Sequence, residues 1–499
     1  MADLEYLGMN KFKKFCYRTK NSFVEFPYKI SNFFKTIPHK LKNSFKKVGS
    51  SLSEFADALI YGDWKTRLSF VFFGFGNIVH KQYLRGFLFL LYEIVFAFYM
   101  IGFGGQYISK FSTLGTVATV TLDNGFKKVG DNSFNILLYG VLTIFIIFCT
   151  IIVWISSVRQ AYNSQRMTEI NKKLSYGRDD LKNLGNKYYH TTLLSLPFVG
   201  LVIFTIVPLI FMIFVAFTNY NNLHLPPEKL FTWVGFSNFS TLISGNGLSG
   251  GDSEKFAYTF RIVLLWTIVW AVLATFSNYF IGMVVAIIIN KKGIKFKKFW
   301  RTCLVTTIAV PQFVSLLLMS KMLATDGIYN VIITKLGGNA VRWLLDPSIA
   351  KCTVLLVNLW VGVPYTVLSC TGILMNIPDD LYEAARIDGA NPYKMFTRIT
   401  LPYMNFVMGP SLISAFVGNI NNFNIIYLLT GGGPSYDVNM VATAGQTDLL
   451  ITWLYKLTVN DQSYDMASVI GIFVFIIVAL ASLLTYSKIG SVKNEEDFQ

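Results

Sequence analysis

Charge is what this chain has least of. Only 14% of its 499 residues are Asp, Glu, Lys or Arg, against about a quarter in an ordinary soluble domain. Cysteine is sparse as well. Cys16, Cys149, Cys303, Cys352 and Cys370 show no paired spacing that would build a disulfide framework or a zinc site. His39, His80, His190 and His224 stand far apart, so no metal site is expected. The GxxxxGK[ST] phosphate loop is missing, and no nucleophile stands in a base-coupled signature. Gly431-Gly432-Gly433-Pro434 lacks the Lys and Ser/Thr of such a loop and reads as a turn that ends a span. No catalytic residue is assigned, and any ATP that drives this protein must be bound by another chain. An apolar core behind the early lysines is missing too, so no cleavable signal peptide is expected.

Apolar residues fill the space that charge leaves. They make up 53% of the chain, with 44 Phe, 26 Tyr and 9 Trp. Runs near 20 residues cover 84–104, 134–156, 193–217, 261–289, 302–322, 353–373, 404–428 and 467–487. About 20 helical residues cross the ~30 Å hydrocarbon core, where backbone polar groups must pair internally. The expected fold is therefore an all-α polytopic membrane protein with about eight transmembrane helices. The apolar stretch 68–79 is too short to span and contains Gly74, Gly76 and Asn77, which predicts a re-entrant or interfacial segment.

Lys and Arg concentrate in alternate connections. The first 67 residues include Lys11, Lys13, Lys14, Lys46 and Lys47. Segment 157–190 includes Arg159, Arg166, Lys172, Lys173, Arg178, Lys182 and Lys187, and segment 290–301 holds Lys291, Lys292, Lys295, Lys297, Lys298 and Arg301. Connections 220–259 and 430–466 are poorer. The positive-inside rule then predicts that both termini and the 374–403 loop are cytoplasmic. This asymmetry and anionic lipid account for the +16 formal charge; nucleic acid is not an expected partner. Phe12, Phe15, Phe23, Phe26, Phe33, Phe34 and Phe45 interleave with lysines before residue 60, a pattern for a segment lying on the inner leaflet.

One polar connection carries a distinctive string. Glu383-Ala384-Ala385-Arg386-Ile387-Asp388-Gly389 is followed, after nine residues, by Ile399-Thr400-Leu401-Pro402. Pro378-Asp379 opens a helix with an acidic residue in its first turn. Gly389 supplies a left-handed C-terminal residue, and Asn391-Pro392 starts a second helix, expected to break at Pro402. Ala384 and Ala385 leave one surface thin enough for close approach to a partner.

This EAA-x3-G-x9-I-x-LP string resembles the cytoplasmic coupling loop of binding-protein-dependent ABC transporter permeases. The resemblance implies a type I importer core, with Glu383, Ala384, Ala385, Asp388, Gly389, Ile399 and Pro402 docking on an ATP-binding subunit. Residues 358–365, 377–382, 419–424 and 428–434 extend the likeness to the larger permease subunit of maltose/maltodextrin importers, over roughly 190–490. It implies partners: a second homologous permease, two ATP-binding subunits that bind ATP and Mg, and an extracellular solute-binding (lipo)protein, in a bacterial cytoplasmic membrane. Domains follow as 1–67 basic and cytoplasmic, 68–156 the re-entrant segment and first two spans, 190–490 the core with loop 376–402, and 491–499 a tail.

Solute recognition is read from the same stretches. Amides within a span face a cavity or a partner helix, and Asn419, Asn422 and Phe423 share a helical face. Amides suit sugar hydroxyls, and Trp360 and Tyr365 offer flat apolar faces; interhelical hydrogen bonding is the alternative. The resemblance places sugar contacts at Val361, Gly362, Tyr365, Asn419 and Asn422. Two positions depart from the pattern: Ala415 replaces a serine, and Gly418 an aromatic. The connection after the third span is only about 40 residues long, without the large inserted domain of enteric relatives. Maltose or maltodextrin is the expected solute, another oligosaccharide or polar solute the alternative. Sparse intramembrane charge, with Glu93 the clearest case, argues against an ion-coupled secondary transporter.

Overall fold

The structure is a computed structural model that describes residues 54–486, except 122, 124–126, 171–173, 175, 246–251, 292 and 437–442. The predicted basic region up to residue 53 and the tail 491–499 lie outside the described residues. Elements run in the order α1 (Trp64–Leu68), α2 (Phe75–Val79), α3 (Tyr83–Phe111), β1 (Val120–Thr121), β2 (Lys127–Lys128), α4 (Ser133–Glu169), α5 (Gly177–Gly185), α6 (Tyr189–Val215), α7 (Ser237–Ser244) and α8 (Asp252–Asn290). There follow α9 (Lys297–Ala309), α10 (Gln312–Met322), α11 (Ile328–Lys335), α12 (Pro347–Leu374), α13 (Asp379–Ile387), α14 (Pro392–Met395), α15 (Leu401–Ile420), α16 (Phe423–Thr430), α17 (Leu450–Val459) and α18 (Tyr464–Tyr486).

Seven of the helical stretches are long and apolar enough to cross a membrane, and α9 with α10 makes an eighth if the bent pair is one span. The eight expected runs all fall on these helices. Their solvent is hydrocarbon: Leu196, Phe204 and Ile101 expose 80% or more of their surface (80%, 80% and 86%), a display that water would penalise.

Two spans differ from expectation, and proline and asparagine explain why. Residues 302–322 do not form one straight helix. Pro311 disfavours the helical conformation of the residue before it. Val310 is extended at ψ 126°, and α9 and α10 meet at 91°. The seventh span stops at Ile420 and restarts at Phe423, where the Asn422 side chain accepts the Ile425 N–H at 3.4 Å. The all-α expectation also meets one small exception, the antiparallel β1–β2 pair in an interhelical connection.

The chain divides into two compact units, residues 1–109 with 139–207 and residues 110–138 with 208–499. In the first, the predicted re-entrant stretch forms α1, a turn and α2. Gly74 takes φ +76° and its N–H donates to Ser157 Oγ at 2.8 Å. Glu93 Oε2 accepts the Phe73 N–H at 2.8 Å. The lone acid of the first span is thus a cap for that turn.

In the second unit α8 and α12 form the most extensive helix pair. Ala274, Val354, Val357 and Leu316 are buried in one apolar cluster, and Met283, Val367 and Met404 in another. Outside the spans, Asp131 gathers a turn: it accepts from Lys110 Nζ at 2.6 Å, Thr116 N–H at 2.9 Å and Val117 N–H at 3.3 Å. The Lys110 ammonium first, and the Thr116 N–H next, hold its carboxyl below its ordinary 3.8. A carboxylate depressed in the folded state adds stability that is present above the ordinary value and disappears as pH falls through the lower folded one. Hydrogen exchange of residues 116–131, corrected for intrinsic rates, should therefore accelerate only below that ordinary value. Asp131→Asn should remove the pH dependence; if the acid response survives in the variant, Asp131 is not its source.

Candidate functional site

Two arrangements on the second unit concern function: the loop after α12 and the surface around the α9–α10 break. In the loop, Asp379 and Asp380 occupy the first turn of α13. The helix ends as the sequence predicts. Gly389 takes φ +71°, its N–H reaches the Arg386 carbonyl at 3.0 Å, and the Ala390 N–H reaches the Ala385 carbonyl at 2.8 Å, which is a Schellman closure. A Cβ on Gly389 would meet nothing within 4 Å, so the backbone angle alone demands glycine. Asn391 Oδ1 accepts the Lys394 N–H at 2.8 Å with Pro392 in the first turn.

Beyond α14 the chain does not break at Pro402. It passes through a wider π turn, Phe396–Thr400, straight into α15. Pro402 stands in the first turn of α15, where the adjacent π turn absorbs its missing N–H. Ile399 is half-buried in that turn, and Thr400 is buried. Tyr382 on α13 and Thr400 share a hydroxyl–hydroxyl bond of 2.8 Å, which fastens the short helix to the base of the long one. Glu383, Ala384, Asp388 and Gly389 are exposed and Ala385 half-buried. Beside them Ile387 is 87% and Tyr393 73% exposed. Apolar side chains this open on a polar loop form an exposed apolar surface.

Around the other arrangement, Trp360, Val361 and Tyr365 of α12 line an open pocket with Thr307, Val310, Gln312 and Ser315 from the α9–α10 break. Both aromatic rings are about half exposed. Gly362, one residue from Val361, faces the other way: a Cβ there would come within 2.4 Å of Asn278 Nδ2. Its smallness lets α12 approach α8.

The asparagines have partners within the chain. Asn419 Nδ2 donates to Thr275 Oγ1 at 3.0 Å, and its backbone carbonyl accepts from Trp270 Nε1 at 3.1 Å. Asn422 Nδ2 donates to Asn419 Oδ1 at 3.4 Å. Phe423 packs against Tyr427 and Tyr455, ring centroids 4.7 and 5.0 Å away. The structure therefore brings Asn419, Asn422 and Phe423 together and places Val361 and Tyr365 in the open pocket.

Sequence reasoning passed over Asn358 and Asn278. Asn358 is 3% exposed, its Nδ2 has no hydrogen-bond partner, and Asn278 Oδ1 is likewise buried without one. A buried donor and acceptor left unpaired cost free energy unless something else binds them. The signal was present, because Asn358 stands four residues before Gly362 on the face that meets α8. The open pocket itself offers the Gln312 amide, the Thr307 and Ser315 hydroxyls and the flat rings of Trp360 and Tyr365, a set suited to holding a hydroxyl-rich solute.

The C-terminal part of the chain, residues 278–489, matches the family model described as binding-protein-dependent transport system inner membrane component. The galactooligosaccharides transport system permease protein of Bacillus subtilis is 34% identical over 428 residues, covering 85% of this chain and 96% of its own. The chain belongs to the binding-protein-dependent ABC permeases. The maltodextrin transport system permease protein of Streptococcus pneumoniae is also 34% identical, over 436 residues, covering 85% of this chain and 95% of the relative. The maltose/maltodextrin permease protein of Vibrio parahaemolyticus is 37% identical over 258 residues, 50% of this chain and 47% of that one. The protein is accordingly a membrane transport subunit rather than an enzyme.

Close approach of α8 and α12 gives a direct test of this part of the permease. Gly362→Ala must push Asn278 aside. Overpacking of this kind costs about 1–3 kcal/mol and should lower the thermal inactivation temperature of the purified protein. An unchanged temperature would mean that the two helices separate freely.

Proposed function

We propose that this permease subunit carries an oligosaccharide of the maltodextrin class across the membrane, driven by ATP bound on partner subunits. The observation that carries the reading is the α13 loop. It is an exposed, glycine-closed helix that the Tyr382–Thr400 bond and the unbroken π turn fasten to the seventh span. A partner that grips Ile387 and Tyr393 pulls on α15 directly. Glu383, Ala384, Ala385, Asp388 and Gly389 form the gripped face, and Ile399 and Pro402 lie where its motion enters the span.

ATP and Mg reside in two partner ATPases, and a second permease completes the pathway. An extracellular binding protein delivers the sugar. The loop and both termini face the cytoplasm, as the distribution of Lys and Arg supports. Driving the permease from 1:99 to 99:1 between its two states takes roughly 5.5 kcal/mol of differential affinity, a quantity that nucleotides at an ATPase interface supply.

Trp360 and Tyr365 stack on pyranose rings, Val361 packs beside them, and the Gln312 amide with the Thr307 and Ser315 hydroxyls answers sugar hydroxyls. Gly362, Asn419 and Asn422 set the width and shape of the wall behind, and Phe423 closes its end. Galactooligosaccharides are the second reading, because the permease named for them is as similar to this chain as the one named for maltodextrin.

Uptake of labelled maltotriose and galactotriose into vesicles holding the whole complex, with and without internal ATP, tests both readings. ATP-dependent accumulation of maltotriose is expected. Gly389→Pro, which forbids the positive φ, should abolish it while the protein still inserts. Tyr365→Ala should raise the KM for the sugar about tenfold, since a stacked aromatic contributes ~1.5 kcal/mol, with ATPase docking intact. Accumulation of galactotriose alone would replace the solute. Uptake indifferent to ATP or to Gly389→Pro would overturn the coupling.

A further inference from the structure

The connection between α8 and α9 is the most one-sidedly charged stretch among the described spans and their links. Residues 290–301 hold Lys291, Lys292, Lys295, Lys297, Lys298 and Arg301, and no Asp or Glu occurs from 255 to 325. Those among them that the structure describes divide into two groups.

Two of them are turned inward. Lys297 Nζ donates to the Asn290 backbone carbonyl at 3.1 Å, and Arg301 donates to the Asn290 side chain. Asn290 in turn donates from Nδ2 to the Ala286 carbonyl at 2.7 Å and to Thr371 Oγ1 at 3.1 Å. This hub fastens the connection to the end of α8 and to α12. Lys297 and Arg301 are structural.

Lys291, Lys295 and Lys298 are exposed, and no described acidic residue forms an ion pair with them. Three large rings stand among them: Phe296 is 79%, Phe299 59% and Trp300 52% exposed. Phe296 is held at φ +58°, a conformation uncommon for a bulky side chain. The backbone accepts that angle while the ring stays open rather than buried. The location supplies the environment, since these residues join the end of one membrane span, α8, to the bent apolar pair α9–α10. Aromatic rings and lysines side by side at such an end are the two halves of a membrane-interface anchor: rings enter the acyl boundary while ammonium groups reach headgroup phosphates.

We infer that Lys291, Lys295 and Lys298, with Phe296, Phe299 and Trp300, form a binding site for an anionic phospholipid headgroup. An uncompensated charge of +3 on these exposed side chains selects anionic over zwitterionic lipid, and the fastened Asn290 hub holds the three ammonium groups on one short connection. None of these residues lines the Trp360–Tyr365 pocket.

The test uses the full complex reconstituted in vesicles of equal phosphatidylglycerol and phosphatidylcholine at low salt, then extracted gently, with the retained lipid quantified. Phosphatidylglycerol should be retained in excess over its share of the vesicle. Each of Lys291→Gln, Lys295→Gln and Lys298→Gln should lower that preference by about fivefold, the factor equivalent to ~1 kcal/mol per basic side chain at an anionic surface. The triple Arg variant should retain it, which separates loss of charge from misfolding. Added inorganic phosphate should leave the bound lipid in place. Equal retention of both lipids, or a preference unchanged in the triple Gln variant, would overturn the site. Displacement by free phosphate would show a phosphate site instead. Loss of the ATPase subunits from the triple Gln variant with lipid preference unchanged would assign the surface to a protein partner.

Discussion

Hydrocarbon offers no hydrogen-bond partner, and the arrangement of polar groups in this permease follows from that. Each polar group within a span must be satisfied by the chain, by water in a cavity or by a solute. Glu93 accepts the Phe73 N–H, Asn419 joins Thr275 and Trp270 to the seventh span, and Asn290 gathers α8, α9 and α12. Where a helix is interrupted, the freed groups are answered locally, as by Asn422 at the restart of α16. Against this background the unpaired amides of Asn358 and Asn278 stand out. They lie where Gly362 brings two helices together.

The same constraint explains what was legible beforehand. Apolar runs declare themselves because nothing else can cross the bilayer, so the eight stretches and their helical state followed from composition and length. The α13 loop was legible because its parts are local. Proline, glycine and an Asn-Pro pair each act on their own backbone, and φ +71° at Gly389 and the cap at Asn391 came out as read. Pro402 was misjudged because a π turn before it removes the conflict that proline otherwise creates. The bend at Pro311 was missed although the rule governing Val310 was available, because hydropathy is blind to backbone angles.

Side-chain partners were the least legible. Four Asn in residues 419–424 signalled polarity within a span, but nothing local says whether an amide meets a hydroxyl on α8 or a solute. That choice depends on the register between helices 144 residues apart for Asn419 and Thr275. Asn358 was passed over for the same reason: its significance lies in having no partner, a property that only packing reveals. Glu93 was legible as the clearest charge within a span, but the turn it caps, which lies twenty residues earlier, was not.

Three local features fasten α13 to the base of α15. They are the Tyr382–Thr400 bond, the Schellman closure at Gly389 and the continuous turn from Pro392 to Leu401, and the proposed lever requires that they make the pair rigid. Pulsed EPR between spin labels at the exposed positions Ile387 and Ser414 tests that rigidity in the reconstituted complex, before and after nucleotide is trapped. A lever requires one distance distribution that does not change while transport proceeds. A second distance arising on nucleotide binding would show that the loop moves independently of the span, and coupling through this piece would be wrong.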